Sequence, residues 1–266
     1  MPVRLAFIRP LAPSASVRPP QGDDWIHEPK WDGFRFQIIK HGASIRFYSR
    51  HGAEYTDRLP RMAEAFAKLP TQSAILDGEL VLIDPRGLAH FYKLMREMRT
   101  SHPDEAQLVF LVFDLLWQDG VDLRGLPLAE RKRDLDRLCR KSKVPFMRQV
   151  ETFPDGGVLF DHCNKFGFEG VVSKRLSSRY SSGPSRNWVK TKCPQWKRIN
   201  AERWRIFEGP TKPELTEAQK TLAKKRAEPA RVLERLQDPD VRPGMAKELR
   251  KHVAILEREI AELEQG

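Results

Sequence analysis

Apolar and polar residues alternate along much of the chain up to about residue 200. Phe34, Phe36 and Ile38 share one face of an extended stretch over 34–39, and residues 45–49 repeat the alternation. His41, Gly42 and Ala43 lie between the two runs, so together they predict a β-hairpin. Leu59, Met62, Phe66 and Leu69 recur at helical spacing and predict a short amphipathic helix. Residues 74–83 and 107–114 read as buried strands that carry acids. Helices are expected over 128–139 and 157–166, the second stopped by Gly167. Two more strands, 169–174 and 188–193, flank a loop rich in Ser, Arg and Gly. The order lacks the strict strand–helix–strand alternation of a doubly wound sheet and points to an α+β fold on antiparallel sheet.

The two ends of the chain differ from this middle. Residues 1–20 hold several prolines and lack both a continuous apolar core and a small-residue cleavage site, so they read as an extended lead-in and not a signal peptide. Beyond about residue 205, Pro210, Pro213, Pro229, Pro239 and Pro243 punctuate charged stretches. Leu249, Val253, Leu256, Ile260 and Leu263 then follow 4-3-4-3 spacing. The expected organisation is a lead-in over 1–20, one domain over 21–205 and a charged helical tail over 206–266. That tail forms either a hairpin folded back on the domain or a short coiled coil with another chain.

Charge narrows the class of partner. The 266 residues carry a formal net charge of +11, nearly all of it in the first 201. A basic excess confined to one domain suits an anionic partner, most often nucleic acid. Cys139, Cys163 and Cys193 are isolated, without metal-ligand spacing, which fits a reducing compartment and argues against a structural zinc site. No stretch approaches the length of a membrane span, and cytoplasm is the expected location.

The strands aim like charges in pairs. Asp77 and Glu79 share one face of their strand, as do Lys190 and Lys192. Each pair either faces solvent or meets something: acids a ribose or metal, lysines phosphate oxygens. Neither a GxxxxGK[ST] loop nor a GxGxxG turn is present, so a nucleotide would be held by side chains on sheet. Lys30, in the run Glu28-Pro-Lys30-Trp-Asp32-Gly33-Phe-Arg35, is the candidate nucleophile. A lysine attacks only when neutral, which for an unperturbed side chain at pH 7 costs roughly 4.6 kcal/mol. Neighbouring cations and partial burial lower that cost.

These motifs, in this order, resemble the adenylation domain of ATP-dependent DNA ligases, most closely the ligase module of bacterial end-joining proteins, over roughly residues 20–195. The resemblance implies an antiparallel-sheet, ATP-grasp-like nucleotidyltransferase fold. It implies that Lys30 takes AMP, Glu28 contacts adenine and Arg35 lies near the ribose and the nick. Arg50, in Ser49-Arg50-x-Gly52, matches the arginine that contacts the nucleotide. Glu79, in Asp77-Gly78-Glu79, matches the acid on ribose or metal, and Phe113 the ring that stacks on adenine. Glu169, opening Glu169-Gly170-Val171-Val172-Ser173-Lys174, matches an acid near the metal, and Lys190 and Lys192 match the lysines on the α-phosphate. ATP is then the substrate, carried as covalent AMP, with Mg²⁺ or Mn²⁺ at Glu79 and Glu169. The implied target is nicked or broken double-stranded DNA. In that family an OB-fold with a further basic motif follows; the 74 residues after Lys192 do not read as five alternating strands. A partner protein that supplies the OB-fold or the DNA-end-binding function is therefore expected to assist self-adenylation. Two other readings stay open: an RNA ligase or capping-type nucleotidyltransferase, and a non-catalytic module that binds DNA ends.

Overall fold

The computed structural model describes residues 5–84, 87–200 and the single positions 253, 254 and 258. The expected tail therefore lies almost wholly outside the described residues. In chain order the strands and helices are β1 (Leu11–Ser16), β2 (Trp25–Lys30), β3 (Phe34–His41), β4 (Ser44–Ser49), α1 (Pro60–Ala67), β5 (Ser73–Leu82), α2 (Phe91–Glu97), β6 (Leu108–Gln118), β7 (Val121–Asp122), α3 (Leu128–Lys141), β8 (Met147–Gln149), α4 (Gly156–Phe166), β9 (Gly170–Arg175), β10 (Gly183–Lys192) and α5 (Pro194–Ile199).

Two sheets result. The larger runs β4-β3-β5-β6-β7, with β8 also pairing β6, and the smaller runs β1-β10-β9-β2. Pairing is antiparallel except for β1 with β10 and β6 with β8, as an α+β fold requires. The predicted hairpin is β3–β4, paired from Phe36 opposite Ser49 to His41 opposite Ser44. Gly42 takes the turn at a φ of +59°, a conformation that costs glycine nothing. The predicted helices form as α1, α3 and α4, and Gly167 closes α4 in the left-handed conformation at a φ of +81°.

Three differences from the sequence reading matter. Residues 11–16 are a strand, because β10 offers them a parallel partner from Gly183 to Thr191. Residues 25–30 are a strand too, pairing β9 along its length. The loop before residue 188 is shorter than its Ser/Arg/Gly content suggests, since β10 already begins at Gly183. In each case a long-range partner overrides weak local β-propensity.

The larger sheet is apolar on both faces. Phe36, Ile38, Leu76, Leu80 and Phe110 pack with α1 through Met62 and Phe66. Ile39, Ile75 and Leu116 pack the other way, with Leu11 and Trp188 of the smaller sheet. The outer face of the smaller sheet is covered through Leu159, Cys163, Val171 and Trp196. The two sheets thus face each other, and the side chains between them change from apolar to charged toward one end.

Candidate active site

Strand parity fills the space between the sheets. In β2, Glu28 and Lys30 share a face; in β10, Trp188, Lys190 and Lys192 do; in β9, Val172 and Lys174 do. From the opposite sheet come Arg35 on β3, Glu79 on β5 and Phe113 on β6. They enclose a cleft of about 770 Å³, with Arg50 and His51 also in its lining. Of the sequence-predicted site residues, Glu28, Lys30, Arg35, Arg50, Glu79, Phe113, Glu169 and Lys190 all line it. Lys192 joins them through Glu169.

Glu169 organises the lysines. Its Oε2 accepts from Lys30 Nζ at 2.6 Å, and its Oε1 pairs with Lys192 Nζ at 3.0 Å. Burial pushes its carboxyl up, but the charges and hydrogen bonds of Lys30 and Lys192 outweigh that and leave it below its ordinary value. The ammonium of Lys192 also lies 4.9 Å from the centre of the Trp196 ring. Lys190 has no acid partner among the described residues. Its own burial, then the charges of Lys30, Lys192 and Arg50, push its pKa down.

Glu79 is in the opposite condition. It has no ion pair among the described residues, and burial, with Glu169 and Asp32 nearby, raises its carboxyl to about 8 against the pull of Lys30 and Arg35. Asp77, which shares its strand face, is not available to a ligand. It is wholly buried, held by Arg35 at 3.0 Å (Nε) and 2.7 Å (Nη2), while Tyr180 Oη donates to it at 2.7 Å. Arg35 also donates to the carbonyl of Leu11 and lies 5.3 Å from the Phe113 ring centre. The paired acids of β5 therefore divide their work: Asp77 fixes an arginine and Glu79 faces the cleft.

Gly33 explains how β2 hands Lys30 to the cleft. A Cβ there would stand 2.3 Å from the carbonyl oxygen of Leu80, so only glycine lets the chain cross β5 this closely.

The sequence of residues 10–192 matches the family described as ATP dependent DNA ligase domain. The chain belongs to the ATP-dependent DNA ligase family. Its relatives include the multifunctional non-homologous end joining protein LigD of Pseudomonas aeruginosa, 34% identical over 188 residues, which are 70% of this chain and 22% of that protein. The LigD of Mycolicibacterium smegmatis is 31% identical over 76% of this chain and 26% of its own length. The chain thus spans about a quarter of these relatives. Among solved structures, mycobacterial DNA ligase D complexed with ATP and MES superposes with a TM-score of 0.61 at 28% identity, covering 69% of this chain and 59% of that one. The ligase of bacteriophage T7 in complex with ATP shares the fold at a TM-score of 0.54 and 15% identity.

The ligase domain holds cleft residues that sequence reasoning did not single out. Lys174 is buried, 2.6 Å from Glu28 Oε2, with its ammonium 4.2 Å from the Phe113 ring centre and 4.0 Å from that of Trp188. Burial lowers its pKa to about 8, against the pull of Glu28. The signal for both was parity: Trp188 precedes Lys190 by two, and Lys174 follows Val172 by two. Lys132 of α3, which pairs with the other oxygen of Glu28, left no signal, because it lies 104 residues from its partner. Among the described residues no helix is long and apolar enough to cross a membrane. All three cysteines are free thiols.

Proposed function

We propose that this ligase domain charges Lys30 with AMP from ATP and uses it to seal breaks in DNA. The observation that carries the reading is Lys30 itself, which ends β2 in the cleft with Glu169 at 2.6 Å, flanked by Lys190 and Lys192. Its lone pair attacks the α-phosphorus of ATP, a phosphorus–nitrogen bond forms, and the bond to the bridging oxygen breaks to release pyrophosphate. AMP then passes to the 5′-phosphate at a nick. Attack by the 3′-hydroxyl finally joins the strand and releases AMP.

Each residue has a part in this. Glu169 orients Lys30, whose amine gives up its proton before it attacks. Lys190 and Lys192 meet the negative charge that develops on the phosphate oxygens. Phe113 gives the base a stacking surface, and Glu28 offers it a hydrogen-bond acceptor. Arg35 is held rigid by Asp77 beside the ring of Phe113, where the ribose would lie, and Arg50 reaches the nucleotide from the cleft lining.

The acids also suit Mg²⁺ or Mn²⁺. Glu79 is a half-buried carboxyl lacking an ion-pair partner among the described residues, the kind of group a divalent cation neutralises. No cluster of three or more acids, histidines or cysteines that could hold a metal occurs among the described residues, so phosphate oxygens would complete the shell. Glu79 and Glu169 would hold the ion, which when bound stabilises charge on nonbridging phosphate oxygens.

The proposed target is nicked or broken double-stranded DNA. The net charge of +11 supports it, as do relatives named for non-homologous end joining and DNA ligation. Incubation with α-labelled ATP and Mg²⁺ tests the chemistry. The wild type is expected to take covalent label and Lys30→Ala to take none, while the wild type seals a pre-adenylated nick. No label together with no sealing rejects the reading; label from GTP and not ATP replaces it with a capping-type activity.

A further inference from the structure

Two consecutive residues of α3 tie together the parts of the cleft that would meet a nucleobase. Arg131 is fully buried and clasps Asp114 at 2.9 Å and 2.8 Å, and Asp114 follows Phe113 in β6. Lys132 reaches the other sheet and pairs with Oε1 of Glu28, whose Oε2 takes Lys174 at 2.6 Å. Glu28 is 2% exposed. An acid held between two lysines at that depth presents acceptors and no donor.

Resting on the reading that the cleft takes ATP, we propose that Lys132 is a positioning residue for base selection. It holds Glu28 as an oriented acceptor beside Phe113, so that the slot takes a purine with a 6-amino group and rejects one with a 6-oxo group. The amino group donates to the carboxylate. A carbonyl oxygen at the same place sets acceptor against acceptor and leaves both unpaired in a buried site. Arg131 does the corresponding work for the ring, through Asp114. Because both clasps come from neighbouring residues of one helix, α3 sets the spacing between the stacking surface and the acceptor. Neither residue belongs to the motifs that carry the family resemblance.

The test compares ATP with inosine triphosphate, its 6-oxo analogue, on the full chain. Binding is read by calorimetry in a Lys30→Ala background, which removes the covalent step, and Lys30 labelling is read separately with Lys30 intact. The wild-type slot is expected to prefer ATP by about tenfold or more. Lys132→Met should lose most of that preference and raise KM for ATP about tenfold, with kcat changed by less than about threefold. Lys132→Arg, which keeps the charge, should recover most of the preference. If Lys132→Met does not fold, Lys132→Gln carries the same comparison. A folded Lys132→Met with the wild-type ratio overturns the proposal. So does a Lys132→Arg as indiscriminate as Lys132→Met, since packing and not charge would then be responsible. A wild type that labels equally with both nucleotides overturns base selection and leaves adenylation standing. A wild type that binds neither and takes no label overturns both.

Discussion

Lys30 and Glu79 show how environment separates residues that look alike in sequence. Lys30 is ion-paired and partly exposed, whereas Lys174, also on the cleft face, is buried against two rings with its pKa lowered to about 8. Asp77 and Glu79 are two residues apart on one face, yet Asp77 is neutralised by Arg35 while Glu79 is pushed up to about 8 by burial and neighbouring acids. This has a consequence for stability. Below the ordinary glutamate value near 4.5 the side chain is neutral in both folded and unfolded chains. Between there and about 8 only the folded chain retains the proton, so folding loses stability as pH rises through that window, and above it the loss is constant. In chelator, Glu79→Gln is therefore expected to match the wild type near pH 4.5 and to exceed it clearly at pH 8.5. Urea unfolding at the two pH values checks this; an unchanged difference would show that Glu79 is already ionised in the folded protein.

Among the elements, β9 and α3 are the least replaceable. A Cβ on Gly170 would stand 2.0 Å from the carbonyl oxygen of Thr191 in β10, and backbone cannot yield as a flexible side-chain tip can. Gly170→Ala should push the two strands apart, costing about 3 kcal/mol, and should separate Glu169 from Lys192. Thermal unfolding and Lys30 labelling are expected to fall together, since Glu169 precedes this glycine directly. In α3 the buried pair of Arg131 and Asp114 has no solvent to fall back on. Arg131→Met leaves Asp114 buried and unpaired, and should destabilise the protein by about 3–5 kcal/mol in denaturant unfolding. A replacement tolerated within 1 kcal/mol would mean that Asp114 finds another partner. Local pattern revealed most of these elements. The hairpin β3–β4 and helices α1, α3 and α4 follow from periodicity in their own residues. β1 and β2 did not, because each owes its extended form to a neighbour at least 140 residues away along the chain.

At the scale of the whole molecule, the net charge of +11 should govern the encounter with DNA. Binding to nicked duplex is expected to weaken linearly in log affinity against log salt. Arg179 and Arg186 are exposed, while Arg175 is partly engaged with Asp24 at 3.2 Å. Removing either exposed arginine should lower the salt slope by about one if it meets a phosphate, which fluorescence anisotropy can read. An unchanged slope for both would place the DNA path elsewhere.

Sequence alone determined the chemistry of this protein: which residues carry charge, and which of them share a strand face. Period-two alternation is a local property, so Asp77 with Glu79 and Lys190 with Lys192 could each be paired by spacing. Tertiary structure decided which groups meet across the cleft. Glu169 takes Lys30 from 139 residues away, Glu28 is clasped from both α3 and β9, and Asp77 is spent on Arg35 and Tyr180. Those contacts depend on how two sheets and a helix pack, and packing is set by the apolar faces between them, not by the charged residues that it brings together.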